Sequence, residues 1–475
     1  MTPSSHSSLA PPLKSPSRWD WGMLATSCMV ATYAAFFGVL MVLKHRCFMT
    51  YMLDLGLYAQ NLWLILHEGA RPIHSSLLMY PLALLYGLFP SPEVLLILKS
   101  IVLPLAALPL YKLAEVALGS KAVAVGVSAL YLLYPPLHGV SQFDFHLEDF
   151  LPLLFIASTY FYEVARPRPY LACLILCLAT MEFAPYVAIA YGLWLLLKNV
   201  KLGLREGRLS IVFKFRTQAK LAVATIALSA IAALAYLAVG AGGVAELGAS
   251  GLIASAIPLK EKMNYLSLIY GPLAFLPLTS LSQLAALPWL VFAFASSSRE
   301  VLAIYNQFPA FVLPFTFIGV VEVLRRLRGN KRFLLQVLAI LFLSTAIYFS
   351  YTDPVFANPY PPHMPRWPVV TEKDELLSQI IQLIPPDASV LTQNNIAPHL
   401  ANRRELYITL RDTSVTPKFI LVDRSHFSFD EPNIRPSPAE LLPVLLQSGN
   451  YGLRVVYGPV ELYELGYSGN PLRLE

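Results

Sequence analysis

The chain has 475 residues, 56% of them hydrophobic and 13% charged, and a net charge of +6. Soluble domains usually carry about 25% charged residues, so a wholly soluble protein is excluded. The basic residues sit in short segments between apolar stretches, which excludes a nucleic-acid groove and reads instead as membrane topology.

Composition divides the chain. From Trp21 to Tyr351 it is a succession of apolar stretches, many long enough to cross a ~30 Å hydrocarbon layer at about 20 residues each. The expected organisation is a disordered cytoplasmic leader over 1–20, a transmembrane domain over 21–351 and a soluble extracytoplasmic α/β domain over 359–475. The first apolar segment ends in Leu43-Lys44-His45-Arg46, which is no small-residue cleavage site, so it reads as a retained anchor.

Eleven spans are expected: 21–43, 93–112, 121–137, 148–165, 169–182, 184–198, 218–240, 266–281, 283–297, 307–325 and 333–351. An odd number puts the termini on opposite sides. With the N-terminus in the cytoplasm, the inner segments hold Lys112, Lys121, Arg166, Arg168, the seven positives from Lys198 to Lys220 and the five from Arg325 to Arg332. The outer ones hold few, as the positive-inside rule requires. Residues 169–198 decide the scheme. They lie between two positive segments, so they need two short crossings, or a re-entrant hairpin, with Glu182 near the apex. Pro185 supports a break there. A single tilted span would invert everything downstream.

The first outer loop, 44–92, contains Asp54-Leu55-Gly56-Leu57-Tyr58-Ala59-Gln60-Asn61-Leu62-Trp63. Leu53, Leu57, Trp63 and Leu64, with Asp54 and Gln60 opposed, predict amphipathic helices lying in the interface. His67, Glu68, Arg71 and His74 follow, then an apolar stretch from Leu77 to Phe89 that is too short to span. A carboxylate beside so much apolar surface is costly unless it faces water or a partner. Asp54 is therefore a candidate general base in an outward pocket; the alternative is a solvated residue on a polar helix face.

In the second outer loop Asp144, His146 and Glu148 alternate with Phe145 and Leu147. In an extended segment all three point one way, and together they can ligate a divalent cation such as Mg or Mn. The alternative is a polar turn. Glu182 adds another acid on the same side. In the tail, helices are expected over 372–384, 394–402 (capped by Asn394) and 438–447. Strands are expected over 388–392, 406–409 and 419–422, with a hairpin over 454–457 and 460–464.

Several blocks in order resemble a known group: Asp54 to Trp63, Phe143-Asp144-Phe145-His146, Met181-Glu182, Leu383 to Val390, and Ala397 to Arg403. Over about 50–465 they resemble the prokaryotic membrane-protein family of domain of unknown function 2079. That resemblance implies a distant relation to the multi-span glycosyltransferases of the GT-C fold, which take sugars from polyprenyl-phosphate carriers. By position it implies that Asp54 is catalytic and that Asp144, His146 and Glu148 form an acidic or metal-binding neighbourhood. Gln60, Arg71, His74 and Glu182 complete the candidate substrate-binding set. The implied partners are membrane lipids, a polyprenyl-phosphate-linked sugar donor and an acceptor that the sequence does not name. The chain departs from the family where Met181-Glu182-Phe183 replaces a frequent Lys-Glu-Asp, and where Ser75, not Phe, follows His74. Two other readings stay open. A transporter or flippase needs charges near mid-membrane, where Lys99 is the main one; a non-catalytic assembly protein would use the tail to bind a partner.

Overall fold

A backbone in hydrocarbon has to satisfy its own hydrogen bonds, and the apolar stretches do so as helices. The computed structural model describes residues 20–205, 208–213, 216–240, 257–357, 367–411, 415–425 and 434–474. The expected leader, apart from residue 20, lies outside the described residues, and so does the expected tail boundary at 359.

The helices of the apolar region are α1 (Trp21–Arg46), α2 (Leu57–Glu68), α3 (Met79–Leu88), α4 (Pro92–Leu105), α5 (Ala107–Leu118), α6 (Lys121–Leu132), α7 (Pro135–Gln142) and α8 (Leu151–Glu163). They continue as α9 (Pro167–Leu178), α10 (Ala184–Asn199), α11 (Arg216–Ala238), α12 (Leu259–Tyr270), α13 (Leu287–Ala295), α14 (Leu313–Leu327) and α15 (Lys331–Thr352). A short hairpin, β1 (Val200–Arg205) and β2 (Arg208–Phe213), joins α10 to α11. The chain is mostly helical.

Four stretches among the described residues are long and apolar enough to cross a membrane: Trp21–Arg46, Pro92–Leu118, Thr217–Ala238 and Lys331–Thr352. The pair α6 and α7, bent by 50°, makes a fifth if counted as one span. Ile231, Leu234 and Leu237 on α11, and Ile340, Leu343 and Ile347 on α15, are exposed, a surface that suits lipid rather than water. The other expected spans are shorter. Segments 148–165, 169–182, 184–198 and 307–325 correspond to helices of 13, 12, 16 and 15 residues. Segments 266–281 and 283–297 break into 3-10 turns around α13, with Pro272 and Pro277 near the start of two of them.

The stretch 169–198 runs out and back. Lys198 lies 2.8 Å from Glu322 and also pairs with Glu163, which Arg325 reaches at 3.2 Å. Both α8 and α10 therefore finish at one end of the bundle. Glu182, between α9 and α10, bonds His74 at the other end. The break at Ala179–Phe183 is the expected apex. Asp20, before α1, takes ion pairs from Lys112 and Lys121, each at 2.8 Å. This basic end lies opposite the one that carries the sheet domain, which Arg46 and the loop after it approach.

The sheet domain has helices α16 (Glu372–Gln382) and α17 (Pro438–Gln447) and strands β3 (Val390–Thr392), β4 (Leu406–Tyr407), β5 (Phe419–Asp423), β6 (Tyr451–Tyr457), β7 (Val460–Leu465) and β8 (Leu472–Arg473), in the order β4-β3-β5-β7-β6-β8. Strand β5 is apolar at four successive positions because both of its faces are covered. Phe419 and Leu421 pack with Leu377 and Ile380 of α16, while Ile420 and Val422 pack with Leu441 and Leu442 of α17. The expected helix over 394–402 is only a 3-10 turn, Ala397–Leu400. Asn394 does not cap it: its side chain turns away to the membrane domain.

That segment docks the sheet domain. The His399 ring stacks on His45 at the end of α1, with centroids 4.0 Å apart. Asn402 accepts from Tyr86 Oη at 2.7 Å and donates to the Pro90 carbonyl at 2.7 Å.

Candidate functional site

Met52–Gly56 forms one turn of π-helix leading into α2, a wide turn that recurs at functional sites. Its first amides have no helical partner. Asn394 Oδ1 accepts from Met52 N at 2.9 Å and from Leu53 N at 3.3 Å. Gly56 brings the turn close to the sheet domain, since a Cβ there would lie 3.4 Å from Pro398 Cα. The turn that carries Asp54 is thus held from the tail, 340 residues along the chain.

Asp54 Oδ1 lies 3.2 Å from His146 Nε2. The other ring nitrogen of His146 lies 3.1 Å from the Asp144 carbonyl, and its backbone N–H donates to Asp149 Oδ2 at 2.9 Å. Asp144 Oδ2 accepts from Tyr51 N at 2.7 Å. Two lysines from the long helices clamp this loop. Lys44 of α1 donates to the Gln142 carbonyl at 2.7 Å. Lys99 of α4, fully buried, donates to the carbonyls of Phe143 (2.9 Å) and Asp144 (2.7 Å) and lies 3.4 Å from Asp149.

A second acid–base pair stands nearby. His74 Nδ1 is 3.0 Å from Glu182 Oε1. His74 and Ser75 hold left-handed backbone, at φ 53° and 47°, a conformation that costs energy in non-glycine residues and clusters at functional sites. Tyr58 joins the pairs: its ring centroid lies 5.4 Å from that of His146 and 6.4 Å from that of His74. Within the cluster Asp54 and His74 are the accessible side chains, 21% and 38% exposed, against 8% for His146 and 10% for Glu182.

Burial disfavours a charged His146 ring, but the Asp54 carboxylate beside it outweighs burial and raises its pKa to about 9. Burial pushes the Asp144 carboxyl up to about 6, against the opposing effect of Lys44. His74, opposed by burial, is raised above the usual histidine range by Glu182.

The alternation that predicted a cation site stops at His146, because Leu147–Phe150 is a 3-10 turn. Glu148 therefore does not share a strand face with Asp144 and His146. His146 Nε2 is turned to Asp54, and one Asp144 oxygen is taken by Tyr51. Among the described residues no group of three His, Cys, Asp or Glu side chains is placed to hold a metal ion. Glu148 Oε2, Asp144 Oδ1 and Glu182 Oε2 are nevertheless buried without a hydrogen-bond partner, which is uncommon and marks polar capacity held in reserve.

The other expected residues divide. Gln60 donates to the Arg403 carbonyl at 3.3 Å, so it faces the sheet domain rather than the acid–base pairs. Arg71 is exposed, and its carbonyl accepts from Asn61 at 3.1 Å. Tyr58, Lys44 and Asp149 were not expected here. Lys99 stood out in the sequence as a charge inside an apolar helix, the one signal that pointed to it.

The family model described as a predicted membrane protein, DUF2079, matches residues 44–241 and 247–455, a range that contains every residue of the cluster. No curated protein matches the chain.

Proposed function

We propose, for a chain that belongs to the predicted membrane-protein family of domain of unknown function 2079, that it transfers a sugar from a polyprenyl-phosphate carrier at the outer leaflet, in the manner of GT-C glycosyltransferases. The observation that carries this reading is the accessible Asp54 carboxylate, backed by His146 beneath the sheet domain. Asp54 Oδ2 makes no hydrogen bond among the described residues and is open to accept a proton. In the proposed step it takes the proton of an acceptor hydroxyl. The acceptor oxygen then bonds to the anomeric carbon, the bond from that carbon to the carrier phosphate breaks, and the phosphate leaves with the electron pair. His74 is the nearby cationic group suited to that phosphate, and Arg71, three residues before it on the same loop, can supply a second. No step is routed through a metal.

Two features support the membrane setting, and a third bears on the reaction. The basic residues gather at the end away from the sheet domain, as they would with a cytoplasmic N-terminus and the tail outside. Leu77, Leu84, Leu88 and Phe89 form an exposed apolar face around α3, beside which a polyprenyl chain can lie. Lys99, the charge that would best serve a transport path, is committed to the 143–149 loop, which weighs against a transporter or flippase.

The test is a glycan and glycolipid profile of native cells carrying the wild-type chain, Asp54→Asn or a deletion. The reading expects Asp54→Asn to reproduce the deletion profile while the protein stays in the membrane. Identical profiles in all three strains would refute it.

A further inference from the structure

A separate cleft of about 650 Å³ opens between α2, α3 and the sheet domain, within the range of ~300–1,000 Å³ usual for ligand sites. One wall is aromatic. Trp63 and His67 stack with centroids 4.3 Å apart and planes 16° from parallel, and a bond of 2.8 Å from His67 Nδ1 to the Trp63 carbonyl fixes the pair. The facing wall is polar and comes from the tail: Asp387 and Arg404. Glu68, on α2, lies 4.0 Å from Arg404. Asp387 is exposed, and its carboxylate acts electrostatically on Arg403. The floor is rigid, because Asn402 spends its amide on Tyr86 and Pro90. A second hollow of about 430 Å³ adjoins it and shares Pro386 and Asn402.

We infer that this cleft binds a neutral oligosaccharide, which on the glycosyltransferase reading is the acceptor. An aromatic wall covers the C–H face of a sugar ring. Carboxylates accept from paired hydroxyls, and a guanidinium donates to hydroxyl and ring oxygens. The charge balance favours a neutral ligand: Arg404 lies 4.0 Å from Glu68 and Asp387 is offset by Arg403 of the adjoining hollow, so no uncompensated cation is left to hold a phosphate, a lipid headgroup or an acidic sugar. The two adjoining hollows suit an elongated ligand better than a single ring. Asp54 lines neither hollow, so binding here and transfer at Asp54 are separable.

The test is saturation-transfer NMR on the full chain in nanodiscs. The probes are linear tetrasaccharides of glucose, mannose and N-acetylglucosamine, with tetragalacturonate as the acidic counterpart and phosphatidylglycerol as the lipid competitor. At least one neutral tetrasaccharide is expected to bind. Asp387→Ala, at an exposed position that leaves the fold intact, and Trp63→Ala should each weaken it about tenfold or more; Asp54→Asn should leave it unchanged. Failure of all three neutral probes, binding unaltered in Asp387→Ala, preference for tetragalacturonate, or displacement by phosphatidylglycerol would overturn the inference. Binding that fails while Asp54→Asn still abolishes glycan formation would refute the cleft alone. Intact binding with an unchanged glycan profile would leave the cleft standing as a saccharide site and remove its role as acceptor site.

Discussion

His146 Nε2 lies 3.2 Å from Asp54 Oδ1, and the two residues come from loops that α1, α4 and α7 bring to one end of the bundle. This contact joins the residue proposed to carry the chemistry to the loop that Lys44 and Lys99 hold.

The pair sets a pH dependence. The His146 pKa is raised from 6.5 to about 9, so its contribution to stability is complete below pH 6.5 and is lost as pH rises through about 9. Asp144, raised from 3.8 to about 6, has the same sign lower down: its contribution is full below 3.8 and lost as pH rises through about 6. Thermal unfolding in nanodiscs should therefore show two declines with rising pH. Asp54→Asn should shift the upper one toward neutral pH; an upper decline unmoved by that substitution would show that Asp54 does not govern His146.

Lys99 should be structural. Lys99→Met strands the buried Asp149 and two carbonyls, and breaking a buried pair from one side costs about 3–5 kcal/mol. The double variant Lys99→Met with Asp149→Asn should recover part of that loss, because the uncompensated carboxylate is gone. Melting curves of the two variants decide the matter, and a single variant as stable as wild type would rule out the clamp.

Asn394 should couple the sheet domain to Asp54. Asn394→Ala removes the side-chain acceptor of Leu53 N and one of the two acceptors of Met52 N, which keeps the Asn394 carbonyl at 2.8 Å, at about 0.5–1.5 kcal/mol. Faster amide exchange is expected across Met52–Gly56, with β3 and β5 unchanged. Uniform exchange throughout the sheet domain would point to simple unfolding instead.

Local chemistry made much of the fold legible. The period of 3.6 located α16 and α17, the Gly458-Pro459 turn located the β6–β7 hairpin, and charge on either side of 169–198 required the turn at Glu182. What was hidden depends on distant packing. Asn394 looks like the cap of the helix that follows it, yet its partners are 342 and 341 residues away. Glu148 fits a period of two, but the backbone coils at Leu147 to start α8 and carries it off the shared face. The segment 266–297 reads as two spans by hydropathy, while Pro272 and Pro277 sit in short 3-10 turns that break its first half before α13. Asp54, His146, His74 and Glu182 were each visible as candidates; their division into two pairs around Tyr58 was not, because nothing local encodes it.

The central claim concerns Asp54, and sugar transfer by the purified chain tests it most directly. Wild type and Asp54→Asn, in vesicles containing a polyprenyl-phosphate-linked sugar and candidate acceptors, would be compared by release of polyprenyl phosphate. The account predicts release by wild type and a fall of about 100-fold or more in Asp54→Asn. Equal rates in the two proteins would contradict it.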